Sequence, residues 1–126
     1  MSQKPIKVPG PDHPITVTPS PDHVTAIVAG RTIAESTSTL ALAEASYPVV
    51  HYFPRADVDM TALERTDHKT YCPYKGDASY FSIRTADGLL ENAVWTYEQP
   101  HDALAEIDEY VAFYTDRVDV VSTPVD

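Results

Sequence analysis

The segment Ala78-Ser79-Tyr80-Phe81-Ser82-Ile83-Arg84-Thr85-Ala86-Asp87-Gly88-Leu89-Leu90-Glu91-Asn92-Ala93-Val94-Trp95-Thr96-Tyr97 decides the architecture. Ala78 to Thr85 and Leu89 to Tyr97 read as strands on either side of Ala86-Asp87-Gly88. Asp-Gly suits turn positions with φ > 0, so the segment predicts a β-hairpin. Side chains alternate across a strand, which puts Phe81 and Ile83 on one face and likewise pairs Trp95 with Tyr97.

Similar segments recur on both sides. Ile15 to Thr18 alternates, and Pro19-Ser20-Pro21-Asp22 turns. Val24 to Ala29 is β-branched and apolar, Gly30 turns, and Arg31 to Glu35 returns as a second hairpin. Thr39 to Ala45 reads as a strand, although its Ala, Leu and Glu also suit a helix. Val49 to Phe53 is a strand ended by Pro54, Arg55 to Arg65 a connection with one helical turn, and His68 to Cys72 extended. Pro100 and Asp102 open a short helix through Glu106. Tyr110 to Tyr114 and Val118 to Val121 read as a final hairpin around Asp116-Arg117. Ile107, Tyr110, Val111 and Tyr114 also fit helical spacing, but their β-branched and aromatic character favours strand. The pattern predicts a mostly β single domain of small antiparallel sheets, a meander or partly closed sheet, with one or two short helices. Residues 1–14, with Pro5, Pro9, Pro11 and Pro14, read as a flexible or draped arm. Residues 15–122 form the domain and 123–126 a tail.

A chain of 126 residues has room for one core. Nine Lys and Arg against nineteen Asp and Glu leave a net charge of -10. No basic stripe exists for nucleic acid or for anionic lipid. No apolar run reaches membrane-span length, and the polar N-terminus lacks the apolar core of a secretory signal. The single Cys cannot form an internal disulfide, and no Cys/His cluster has zinc spacing. The expectation is an acidic cytoplasmic protein, monomer or homodimer, without metal or cofactor. Its expected partner is a small molecule rather than nucleic acid or membrane.

Residues 66–80, Thr-Asp-His-Lys-Thr-Tyr-Cys-Pro-Tyr-Lys-Gly-Asp-Ala-Ser-Tyr, are poor core material and good site material. Cys72 is a candidate nucleophile, which needs a lowered pKa. His68 is near in sequence, but four extended residues span roughly 13 Å. A dyad therefore needs a bend, or a histidine from elsewhere such as His51. Lys75 sits closer, across the Pro73-Tyr74 turn. The alternative is that Cys72 is a small buried apolar residue and Lys75 is solvated. Arg55, His68 and Lys75 make a candidate anion trap, unless Arg55 pairs with Asp57, Asp59 or Glu64. Asp67, Asp77 and Glu44 are candidate acid/base partners. Eight Tyr against three Phe, with Trp95, fit a half-wet aromatic cleft. The ligand-binding candidates are Tyr52, Arg55, Tyr71, Lys75, Asp77 and Trp95, and the catalytic candidates are Cys72 and His68.

Three stretches carry a family resemblance: Tyr52-Phe53-Pro54-Arg55-x-Asp57-Val58, Asp67-His68-x-Thr70-x-Cys72-Pro73-x-Lys75-Gly76-x-Ala78-x-Tyr80, and Ala112-Phe113-Tyr114…Arg117-Val118-Asp119. With these the chain resembles the bacterial family known as domain of unknown function 427, from about Val24 to Val121. The resemblance implies a small β-rich "tent" of sheets, akin to zinc-ribbon-like and cereblon-type ligand-binding domains. Many such relatives hold zinc between Cys pairs, which one Cys cannot supply. The family sometimes bears a nucleotidyltransferase label, which implies a Gly-Ser and Asp-x-Asp metal site, and the expectation is that this chain has neither. The resemblance supports Arg55, His68, Cys72, Lys75 and Asp77 as motif positions and implies no established reaction.

Three functions follow as expectations. The first is a domain binding a small polar or anionic ligand in an aromatic-lined cleft. The second is an enzyme using Cys72 or His68 in acyl-transfer, hydrolytic or redox chemistry. The third is a protein-interaction module whose motif shapes a rigid turn.

Overall fold

The computed structural model describes residues 4–125. Its strands are β1 (Ile15–Pro19), β2 (His23–Val28), β3 (Arg31–Ser36), β4 (Leu40–Glu44), β5 (Val50–Tyr52), β6 (Leu63–Cys72), β7 (Gly76–Thr85), β8 (Gly88–Tyr97), β9 (Val111–Phe113) and β10 (Asp119–Thr123). They form three antiparallel sheets, β1-β4-β5, β10-β2-β3 and β6-β7-β8-β9. The domain is mostly β, and its helical pieces are 3-10 turns at Arg55–Asp57, Met60–Ala62 and Asp102–Ile107.

The expected central hairpin is β7–β8, with Tyr80 opposite Trp95 and Thr85 opposite Gly88. Gly88 holds φ +123° at its tip, a conformation that L side chains rarely adopt. Cross-strand partners share a face, so Tyr80, Trp95 and Ala112 form one row and Phe81, Val94 and Phe113 the row on the opposite face. That alternation divides the core. Phe81, Ile83, Val94 and Phe113 meet Val24, Ala26 and Ile33 of the β10-β2-β3 sheet. Ala78, Tyr80, Tyr97 and Ala112 meet Leu42 and Tyr52 of the β1-β4-β5 sheet. The four-stranded sheet is thus a middle layer, which explains why β7 is almost wholly buried. Tyr52 and Phe53, adjacent in sequence, enter different clusters.

Two irregularities bend the middle sheet. The β6–β7 register shifts between Arg65 and Lys69, and the β7–β8 register shifts between Phe81 and Ile83. Asn92, at φ +52°, lies in the second shift. Thr66 Oγ1 donates to Asn92 Oδ1 at 2.7 Å, so the two bulges touch. Bulges twist a sheet and re-aim side chains, frequently beside sites.

One expected element is corrected. Tyr110 to Tyr114 and Val118 to Val121 do not pair with each other. β9 pairs with β8, and β10 pairs with β2 in another sheet. The amides of Arg117 and Val118 both donate to the Tyr114 carbonyl, so the chain makes a wider turn than a two-residue hairpin. It leaves that turn with Val118 buried in the first cluster.

The described part of the N-terminal arm lies along the β6–β7 turn. The Lys7 amide donates to the Pro73 carbonyl, the Tyr71 hydroxyl donates to the Pro5 carbonyl, and Lys4 pairs with Asp77. Residues 1–3 of the expected arm and 126 of the expected tail lie outside the described residues. Among the described residues, no helix is long and apolar enough to cross a membrane.

Candidate ligand-binding cleft

Between the β1-β4-β5 sheet and the middle sheet lies a half-open cavity of about 290 Å³. Six aromatic side chains line it: Tyr47, Tyr52, Tyr80, Trp95, Tyr97 and Tyr114. Strand register places them. Tyr80 and Trp95 face each other across β7–β8, and Tyr97 lies one inward step further along β8. Trp95 lies 4.5 Å from the Tyr114 ring and 6.3 Å, edge-on, from the Tyr52 ring. Its indole N–H donates to the Tyr52 hydroxyl at 3.2 Å.

A partly buried ion pair stands at one end. The three residues Pro73, Tyr74 and Lys75 turn the chain from β6 into β7. Gly76 follows at φ +110°, where a Cβ would lie only 3.3 Å from the Gln99 carbonyl oxygen. The turn drives Lys75 inward, to 9% exposure. Its Nζ donates to Glu44 Oε1 at 2.5 Å, while His13 Nε2 lies 2.7 Å from Glu44 Oε2. Burial pushes the Glu44 carboxyl up, but hydrogen bonds and charge from Lys75 and His13 outweigh it and hold the group below its ordinary range.

Three of the tyrosines, Tyr52, Tyr97 and Tyr114, are held protonated. Burial raises Tyr52 and Tyr97 far above the ordinary phenol range. Burial and the Tyr80 hydroxyl push Tyr114 up to about 12. These three therefore present neutral hydroxyls to the cavity, donors as well as acceptors. Among the described residues, the Tyr97 hydroxyl makes no hydrogen bond, whereas Tyr80 reaches Thr70 Oγ1 at 2.8 Å.

Of the candidate site residues, Tyr52, Lys75, Trp95 and Glu44 line this cavity together. His68 stands just outside it, its ring 4.5 Å from that of Tyr80. Cys72 is half-buried against the second core cluster. Neither Lys75 nor His68 hydrogen-bonds Cys72; the ammonium is taken by Glu44. Tyr71 and Asp77 form a cross-strand pair turned to the arm, where Tyr71 meets Pro5 and His101, and Asp77 meets Lys4. Asp67 is exposed.

Arg55 is separated from Lys75 and His68, so the three do not assemble one anion trap. Its guanidinium donates to Thr96 Oγ1 at 3.1 Å, to Glu98 Oε2 at 2.9 Å and to the Glu109 carbonyl at 2.8 Å. Thr96 lies one residue from Trp95, so it points to the opposite face of the sheet. Glu98 at 2.9 Å and Glu109 at 3.8 Å, rather than Asp57, Asp59 or Glu64, are the carboxylates that Arg55 takes.

The sequence matches the family described as "Domain of unknown function (DUF427)" over residues 16–123. The chain belongs to the DUF427 family. No curated protein matches it. In this DUF427 domain, the motif Cys72-Pro73-x-Lys75-Gly76 is the turn that buries the cleft's ammonium. Tyr52 and Phe53, which open another motif, join two core clusters, and Tyr114 walls the cavity. The motif residues thus play different parts and do not converge as a set. Sequence reasoning did not single out Tyr47, Tyr80, Tyr97 or Tyr114 from the tyrosine excess; strand register is what selects them. The expected absence of an Asp-x-Asp is corrected, because Asp57-Val58-Asp59 is one. Here Asp57 accepts from Ser36, whereas Asp59 takes Arg31 and Thr61. Among the described residues, no group of three or more His, Cys, Asp or Glu is placed to hold a metal ion.

The opposite face of the DUF427 sheet carries a pH-sensitive cluster. Hydrogen bonds from Arg65 hold Glu98 down to about 2, against burial and with help from Arg55. A carboxyl with a lower pKa in the folded state binds fewer protons there than in the unfolded chain. Its stabilisation is complete above its ordinary value near 4.5 and is lost as pH falls towards 2. Urea midpoints should therefore drop steeply from pH 5 to 2.5, with Glu44 acting in the same sense, and Glu98→Gln should make that slope shallower. An equal slope in the variant would show that Glu98 does not carry the effect.

Proposed function

We propose that this domain binds a small molecule in the cleft between its outer and middle sheets. The observation behind this reading is the meeting of six aromatic side chains from four segments on one half-open cavity beside a partly buried ion pair. A core has no need of so many hydroxyls, whereas a small-ligand site is mostly apolar with a few placed polar groups. The ligand lays a flat or apolar body on the rings and exchanges hydrogen bonds with the tyrosine hydroxyls. Lys75 is already neutralised by Glu44. A simple anion would have to compete with that carboxylate, which favours a polar ligand over a purely anionic one. The enzyme reading through Cys72 and His68 has no comparable observation behind it.

A thermal-shift screen of nucleotides, sugars, carboxylates and cyclic imides tests the reading. A ligand at ten times its Kd adds about 1.4 kcal/mol, which raises Tm by about 4–7 °C in a chain of this size. Hits are expected, and they should vanish in Trp95→Ala. A screen without hits, or hits that survive Trp95→Ala unchanged, would contradict the proposal.

A further inference from the structure

We infer that the ligand is an aromatic amino acid or a compound with the same zwitterionic head group. Its ring occupies the aromatic chamber and its two charges an adjoining polar annex. This inference rests on the cleft reading above and adds the chemical class.

The annex is a cavity of about 380 Å³ that shares Tyr80 and Tyr114 with the aromatic chamber. Those two hydroxyls stand 3.5 Å apart at the junction. The sheet irregularities build the annex: His68 comes from the shifted part of β6, Glu91 and Asn92 from the bulge in β8, and Asp116 and Arg117 from the turn after β9. Bulges that touch each other place polar side chains beside the aromatic row, where regular strands would have continued the alternation.

Charge commitment sets Arg117 of the annex apart from the other arginines. Arg31, Arg55, Arg65 and Arg84 each hold a carboxylate. Among the described residues, Arg117 holds none, and its guanidinium donates only to the Glu91 backbone carbonyl. The Glu91 and Asp116 side chains likewise make no ion pair among the described residues. A lone carboxylate entering the annex meets Arg117 but also two like charges, and a lone ammonium meets Glu91 and Asp116 but also the like charge of Arg117. A head group with both signs satisfies all three. The aromatic chamber contributes no net charge of its own, because Lys75 and Glu44 satisfy each other. Charge selection therefore falls to the annex, and shape selection to the rings.

Isothermal titration calorimetry at low ionic strength separates the parts, using L-phenylalanine, 3-phenylpropionate, phenethylamine and the neutral 3-phenylpropanamide. The annex charges are exposed and screened, so each is worth up to about fivefold in affinity. L-Phenylalanine should bind about tenfold or more tightly than 3-phenylpropanamide, with phenethylamine between them and 3-phenylpropionate no tighter than the amide. Arg117→Gln, at an exposed position, should weaken L-phenylalanine and 3-phenylpropionate by about threefold to fivefold and leave phenethylamine and the amide unweakened. Equal affinities for the four probes, or an Arg117→Gln ratio of one, would overturn the inference while leaving the cleft intact. Failure of all four to bind, alongside other hits that need Trp95, would also overturn it without touching the cleft. An empty screen together with four silent probes would remove both.

Discussion

Replacing Glu44 with glutamine is expected to lower the unfolding free energy by about 2–3 kcal/mol, somewhat less than the loss of one partner of a fully buried pair. Lys75 is 9% exposed and Glu44 receives both its ammonium and the His13 ring. Glutamine keeps the shape and removes the charge, leaving the largely buried ammonium at the end of a half-open aromatic cleft with only a neutral amide to meet. The partner variant gives the control. Lys75→Met combined with Glu44→Gln removes the stranded charge and should recover most of the loss, because replacing a buried pair with apolar atoms is often nearly neutral. Urea unfolding of the two single variants and the double variant measures the coupling. A single-variant cost below about 0.5 kcal/mol would mark the contact as an ordinary surface bridge.

Phe53→Ala is expected to cost still more, about 4 kcal/mol. Phe53 is fully buried, and its ring meets Phe113 edge-on at 5.4 Å. Its backbone exchanges two hydrogen bonds with Val111, fastening the end of β5 to β9. The cavity left by the ring is bounded by strands from two sheets, which cannot collapse to fill it. Tm should fall by about 15 °C. Because Tyr52 is the next residue, loosening this anchor should also weaken ligand binding in the cleft. A loss under about 1.5 kcal/mol would mean that the first core cluster repacks freely, contrary to the layered arrangement.

How much of this was legible in the sequence depends on range. The β7–β8 hairpin was, because Asp87-Gly88 fixes the turn and alternation fixes the faces of Phe81 and Trp95. The β2–β3 hairpin was legible in the same way through Gly30. Pairing of β10 with β2 was not, since strands a hundred residues apart leave no local mark and the Asp116-Arg117 turn imitates a hairpin. The site divides similarly. The tyrosine excess pointed to an aromatic cleft, and Tyr52, Lys75 and Trp95 line it. Tyr71 does not, because it stands one step out of phase with Thr70 and Cys72 and therefore faces the arm. Arg55 met Glu98, 43 residues away, where local reasoning offered only Asp57, Asp59 and Glu64. Arg117 was visible as a motif residue but not as a cavity residue, because the bulge at Asn92 that makes room beside it has no plain sequence signature.

Trp95 is the only tryptophan, so its indole N–H gives one assignable NMR resonance inside the proposed site. Titration of the first compound that raises Tm should move that resonance along a curve with the same Kd as calorimetry gives. A compound that binds and stabilises the protein while the Trp95 resonance stays still would place the ligand elsewhere and contradict the account.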